Sequence, residues 1–123
     1  MLTFELDARL PMAGDCELLK QLTANLIDNS IRHTPAGSRI EVKSLKDDHG
    51  GRLIVLDDGP GVPAYERDRI FDRFYRVDSA RATPGDGLGL SLVAAIARLH
   101  DAKVFALDNG PGLKIVVDLA PTP

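Results

Sequence analysis

Apolar positions in this chain recur at two spacings, and each spacing names an element. Leu2, Phe4 and Leu6 alternate with polar residues over 2–8, which predicts a short half-buried strand. Leu10 to Met12 predicts a second, weaker one; Gly14 then breaks the chain, and Asp15 is placed to cap a helix. From about 16 to 33 the period becomes helical. Leu19, Leu22, Leu26, Ile27, Ser30 and Ile31 form one broad, mainly apolar surface, and Pro35 with Gly37 ends it. Alternation returns at 39–45, where Ile40 and Val42 lie between Arg39, Glu41 and Lys43, a strand with one wet face. The polar run 46–51 predicts a turn. The unbroken apolar stretch 53–56 predicts a central strand, paired with its predecessor as a hairpin and delivering Asp57 at its end.

Residues 64–70 predict a short helical piece, and 76–87, charged and without a period, a mobile loop. A second helix is predicted over 88–99 with Leu88, Leu92, Ala95, Ile96 and Leu99 on its buried face. Strands at 103–107 and 113–119 flank Asp108-Asn109-Gly110-Pro111-Gly112, a strong turn signal. The ordering is α+β: mostly antiparallel strands with helices packed on one face.

Composition narrows this. The chain has 123 residues, 44% hydrophobic and 27% charged, one ordinary globular domain. A net charge of −3 gives no global pull toward nucleic acid or an anionic membrane, so any anion site is local. The single cysteine, Cys16, forms no internal disulfide and suits a reducing compartment. No apolar run approaches the roughly 18 residues of a membrane span. The opening LTFELDARL reads as folded domain, which points to a segment of something longer.

Three constellations carry chemistry. Asn25, Asn29 and Arg32 share one helical stripe. Nothing in packing asks for a line of two amides and a guanidinium, whereas an anionic ligand with a hard metal does. Amide oxygens ligate magnesium, which shares itself with substrate phosphates, and Arg32 can meet a terminal phosphate oxygen. In DDGPGVP, Asp57 can accept from an exocyclic amine such as adenine's, Gly59 and Gly61 let a flat ring lie close to backbone, and Val62 supplies an apolar wall. Taken alone, that stretch is equally a solvated turn. Gly85-Asp86-Gly87-Leu88-Gly89 leads into a helix whose N–H groups favour phosphate. It is neither the dinucleotide fingerprint nor a P-loop, and alone it is a weak signal.

In their order along the chain these motifs resemble the ATP-binding catalytic domain of bacterial two-component sensor histidine kinases, within the wider group of gyrase-, Hsp90- and MutL-like ATPases. NLIDNSIRHTP is similar to the asparagine box, LDDGPGVP to the first glycine box, FDRFYR to the phenylalanine box and GDGLGLSLV to the second glycine box. The resemblance runs from about Leu2 to Leu119 and implies a single domain over 1–123 with the Bergerat-type two-layer α/β sandwich. It implies Asn29 as leading magnesium ligand, Asn25 beside it, Arg32 and His33 at the nucleotide, and Asp57 as the adenine reader with Gly59 and Gly61. Gly85, Gly87 and Gly89 would form the hinge of a lid over ATP, with Leu88 in contact there. Phe71 and Phe74 would anchor the lid, although Phe71 is equally a core aromatic. Arg73, Arg76 and Arg81 are solvated charges or phosphate contacts of the closed lid.

The implied activity is protein histidine kinase, with ATP and Mg²⁺ bound here and the γ-phosphate passed to a histidine on a separate phosphoacceptor and dimerisation domain. The wider group has a glutamate base where Asn25 stands, and an asparagine removes no proton, which favours transfer over hydrolysis. His33, His49 and His100 lack a phosphoacceptor setting, so this segment alone should not autophosphorylate. Implied partners are its own phosphoacceptor domain and a response regulator. The parent would be a homodimer in the bacterial inner membrane, with this segment monomeric at the cytoplasmic face and touching neither membrane nor nucleic acid. Alternatives are an anti-sigma-type serine kinase of the same fold and a non-catalytic nucleotide-binding or interaction module.

Overall fold

The computed structural model describes residues 2–5, 16–47, 50–72 and 89–119. The elements are β1 (Leu2–Glu5), α1 (Cys16–Arg32), β2 (Ile40–Asp47), β3 (Gly50–Asp57), α2 (Ala64–Arg67), α3 (Gly89–Leu99), β4 (Lys103–Asp108) and β5 (Leu113–Leu119). They form one five-stranded sheet in the order β1-β2-β3-β5-β4. Only β1 with β2 is parallel; the remaining pairs are antiparallel. The apolar stretch expected to be central is central: β3 has a partner on both edges.

Register explains the layering. Val42 lies opposite Val55, Val55 opposite Ile115, and Ile115 opposite Ala106. Because side chains alternate across a sheet, this row shares one face, and it joins Leu22 and Leu26 of α1 and Val93, Ile96 and Ala97 of α3 in the core. Helices α1 and α3 pack on each other over that face. The opposite face carries the row Lys43, Ile54, Val116 and Phe105.

Four expectations need correction. The buried face of α3 is Val93, Ile96 and Ala97, whereas Leu92 is 37% and Leu99 73% exposed and Ala95 is exposed. This helix is apolar on nearly every side, so periodicity could not choose the face. Ile31 of α1 is 55% exposed, while Leu19, Leu22, Leu26 and Ser30 of the same predicted surface are buried. The turn expected at 46–51 is shorter, because the β2–β3 ladder continues to Asp47 opposite Gly50. Backbone pairing does not need apolar side chains. The helix expected over 64–70 stops at Arg67, and Ile70 beyond it enters the core with Phe71 packed against it. The weak strand at 10–12, the Asp15 cap, the loop at 76–87, Phe74, Arg73, Arg76 and Arg81 lie outside the described residues.

Candidate functional site

The end of β3 puts Asp57 on the core face, 5% exposed, where the sheet runs out and Gly59 begins the loop. Burial pushes its carboxyl above the ordinary value of 3.8, and neighbouring Asp58 adds to that; the Gly59 and Leu113 N–H groups and the Ser30 hydroxyl oppose it. Both N–H groups donate to Oδ1, at 3.0 Å from Gly59 and 3.3 Å from Leu113. Asp58 has a different task. Its Oδ1 accepts from the Arg39 N–H at 2.8 Å and its own N–H donates to the Arg39 carbonyl at 3.2 Å, which ties the loop to the chain entering β2. A buried carboxylate costs free energy unless it is used, so of the two aspartates Asp57 is the one that asks for a ligand.

Helix α1 reaches this carboxylate through its last turns. Ser30, 3% exposed, lends its hydroxyl to Asp57. The Thr34 hydroxyl donates to the Ser30 carbonyl at 2.7 Å, which caps the helix and leaves its methyl against the loop. A side chain built on Gly59 would come within 2.6 Å of that methyl. Asn25 and Asn29 are half-buried on this same helix, Asn29 being adjacent to Ser30. The Nδ2 of Asn25 is buried and has no hydrogen-bond partner among the described residues, unlike the great majority of such donors. Beyond them Arg32 and His33 are exposed, and the Arg32 Nε pairs with Asp28 Oδ2 at 2.9 Å.

A third segment closes the site. The turn between β4 and β5 lies against the Asp57 loop: the Asn109 side-chain amide donates to the Asp57 carbonyl at 2.7 Å. Gly112 (φ +111°) sits so close that a Cβ on it would fall 1.8 Å from the Asp57 carbonyl oxygen. Gly61 (φ +74°) faces the Gly112 carbonyl, at 2.9 Å from where its own Cβ would be. The two loop glycines therefore have a packing requirement of their own, toward Thr34 and Gly112, beside any ring they admit. Val62 packs on the core.

The structure thus gathers the second half of α1, the Asp57–Val62 loop and the 109–113 turn. Gly89 opens α3, exposed and with nothing among the described residues within 4 Å of where a Cβ would lie; Gly85, Gly87 and Leu88 lie outside the described residues. Sequence reasoning missed Thr34, Asn109 and Gly112, and took Ser30 only as part of a buried surface. Ser30 carried a signal, a hydroxyl on an otherwise aliphatic stripe. The turn residues carried none beyond their turn chemistry.

The residues present fit a magnesium ion with phosphates. Among the described residues no group of three or more His, Cys, Asp or Glu is arranged to hold a metal. Two side-chain amides with phosphate oxygens and water make an acceptable set for that hard cation. The orphan donor of Asn25 is what a phosphate oxygen would satisfy.

The chain is similar to known proteins in both sequence and fold. The histidine-protein kinase/phosphatase MprB of Mycolicibacterium smegmatis is 40% identical over 100 residues, covering 80% of this chain and 20% of that protein. The Mycobacterium tuberculosis MprB is 41% identical over the same length. The chain spans about a fifth of the length of these curated relatives. A solved structure of the mycobacterial sensor histidine kinase MprB superposes with a TM-score of 0.86 at 32% identity, covering 99% of this chain and 85% of that one. Full-length ShkA, in complex with AMPPNP, superposes at 0.82 with 28% identity, over 98% of this chain and 26% of its own. A profile of the histidine kinase-, DNA gyrase B- and HSP90-like ATPases matches residues 14–123. The chain belongs to that ATPase family, and its relatives within it are the catalytic domains of sensor histidine kinases.

Proposed function

We propose that this domain holds ATP with magnesium and donates the γ-phosphoryl group to a histidine on a separate phosphoacceptor domain, as part of two-component signalling. A histidine nitrogen attacks phosphorus, the bond to the bridging oxygen breaks, and ADP leaves. The observation that carries the reading is the meeting of a buried carboxylate with the asparagine helix: Ser30 touches Asp57 one residue from Asn29, while Asn25 holds an unmatched amide.

The roles follow from chemistry. Asp57 accepts from the exocyclic amine of adenine, with Oδ2 as the oxygen to which no backbone N–H donates among the described residues. Gly59, Gly61 and Val62 line the base. Asn29 and Asn25 would hold magnesium, which would supply neutralisation of the phosphate charge there. Arg32 leaves Asp28 for a phosphate oxygen. That exchange costs little, since both side chains are about half exposed and exposed pairs contribute at most about 1 kcal/mol. His33 lies at the nucleotide, and Gly85, Gly87, Leu88 and Gly89 form the covering lid. Catalysis is positioning and charge stabilisation, and the nucleophile with its base comes from the other domain. No helix among the described residues is long and apolar enough to cross a membrane. The proposed placement is the cytoplasmic face of an inner-membrane-anchored, homodimeric parent, with a response regulator as downstream partner and the isolated domain a monomer.

Asn29→Ala should abolish the gain in ATP affinity that magnesium provides, read by calorimetry with and without the metal; an unchanged gain removes Asn29 from the metal. For the reaction itself, γ-labelled ATP should leave this domain unlabelled alone and label the parent's phosphoacceptor domain, made separately, when the two are mixed. The product should be an acid-labile phosphohistidine, and an acid-stable phosphoserine would contradict the reading.

A further inference from the structure

We propose that Asn109 is a positioning residue for base selection: its side-chain amide, reaching from the β4–β5 turn, fixes the peptide that carries Asp57 and so fixes where the carboxylate meets the base. This rests on Asp57 being the adenine reader.

The β3–β5 ladder ends with Leu56 opposite Lys114. Asp57 lies one residue beyond it, so its carbonyl has no ladder donor from β5. Asn109 supplies one, at 2.7 Å and across 52 residues of sequence. The amide is not needed to close its own turn. The Asn109 N–H donates to the Gly112 carbonyl at 3.1 Å, and Asp108 Oδ1 accepts from the Gly110 N–H at 3.2 Å. Those two bonds shape the turn, and the Asn109 side chain joins it to the strand end.

That joint bears on the carboxylate because the Leu113 N–H reaches Asp57 Oδ1 at 3.3 Å, the long end of the hydrogen-bond range. A small slip of the turn against the strand end breaks it. Among the described residues Gly59, two residues along the same loop, would then be the remaining backbone donor to Oδ1, beside the Ser30 hydroxyl on the carboxyl. Base selection depends on that orientation. Adenine presents an amine where guanine presents a carbonyl oxygen. A fixed carboxylate accepts from the first and repels the second, whereas a carboxylate free to turn away discriminates less.

The test measures ATP and GTP dissociation constants and thermal unfolding for the unaltered protein, Asn109→Ala, the isosteric Asn109→Asp and Asp108→Ala. Losing one neutral hydrogen bond is an effect of about tenfold. Both Asn109 variants should therefore cut the ATP-over-GTP preference by about that factor, Asn109→Asp more, because it sets an acceptor against the carbonyl. Asp108→Ala loosens the turn without touching Asp57 and should keep the preference whatever its Tm. A preference that survives both Asn109 substitutions, or falls equally in Asp108→Ala, overturns the positioning role. If the unaltered protein shows no preference for ATP, the reading of Asp57 fails and this proposal fails with it.

Discussion

Asp57→Asn should lower ATP affinity about a hundredfold and leave the fold at least as stable at neutral pH. The loss in binding has two parts: a charge-assisted hydrogen bond to the base amine disappears, and the new side-chain NH₂ can face that amine as donor against donor. Together these are worth about 2–4 kcal/mol. The fold keeps what it uses, because the amide retains an oxygen in the Oδ1 place for the Gly59 and Leu113 N–H groups. It also loses a buried charge. Desolvation raises the folded carboxyl above 3.8, so between 3.8 and that folded value the native state binds more protons than the unfolded one. Stability then falls as pH rises through the window, and above it the ionised Asp57 is a standing cost. The neutral amide of the variant carries no such cost. Urea midpoints at neutral pH should place the variant level with or above the unaltered protein, with the gap closing as pH falls toward 3.8. ATP affinity of the unaltered protein should weaken over the same window, as Asp57 loses its charge. A variant that unfolds readily yet binds ATP normally when folded would assign Asp57 to structure.

The second large effect is on stability. Gly112→Ala places a Cβ 1.8 Å from the Asp57 carbonyl oxygen, 2.7 Å from its carbon and 3.0 Å from the Asp58 Cα, at φ +111°. These obstacles are backbone, which cannot swing aside. The turn must retreat as a unit, taking the Leu113 N–H and the Asn109 amide away from Asp57. A loss of about 3 kcal/mol is expected, read as a shift in urea midpoint, together with weaker ATP binding by the molecules that remain folded. Gly37→Ala is the control. It has positive φ (+86°) but nothing among the described residues within 4 Å of its Cβ position, so it should cost only about 1 kcal/mol. Equal losses would mean that backbone conformation, not contact with the Asp57 peptide, sets the cost.

Local rules exposed some of this to the sequence and hid the rest. Helix α1 was legible because Leu19, Leu22 and Leu26 recur on one side against polar neighbours, with Pro35 to stop it. Ile31 misled because it lies at the margin of that stripe. The face of α3 was hidden, since Leu90, Leu92, Val93, Ile96 and Leu99 surround the helix and its contacts with α1 and the sheet decide which are buried. Asp57 could be singled out from Asp58 by its place after an unbroken apolar strand, and the structure supplies the reason: Asp58 turns back to Arg39. Gly59 and Gly61 were noticed for room they give a ring. Their contacts with Thr34 and Gly112 depend on segments far along the chain, as do those of Asn109, and no local pattern encodes a contact across 52 residues.

The most direct test of a shared site is an amide NMR titration with ATP and magnesium. One saturation curve should move the N–H signals of residues 25–34, 57–62 and 109–113 together, as the proposed function has α1, the Asp57 loop and the β4–β5 turn around a single nucleotide. Shifts confined to one of these segments, or separate curves for the asparagine helix and the Asp57 loop, would contradict it.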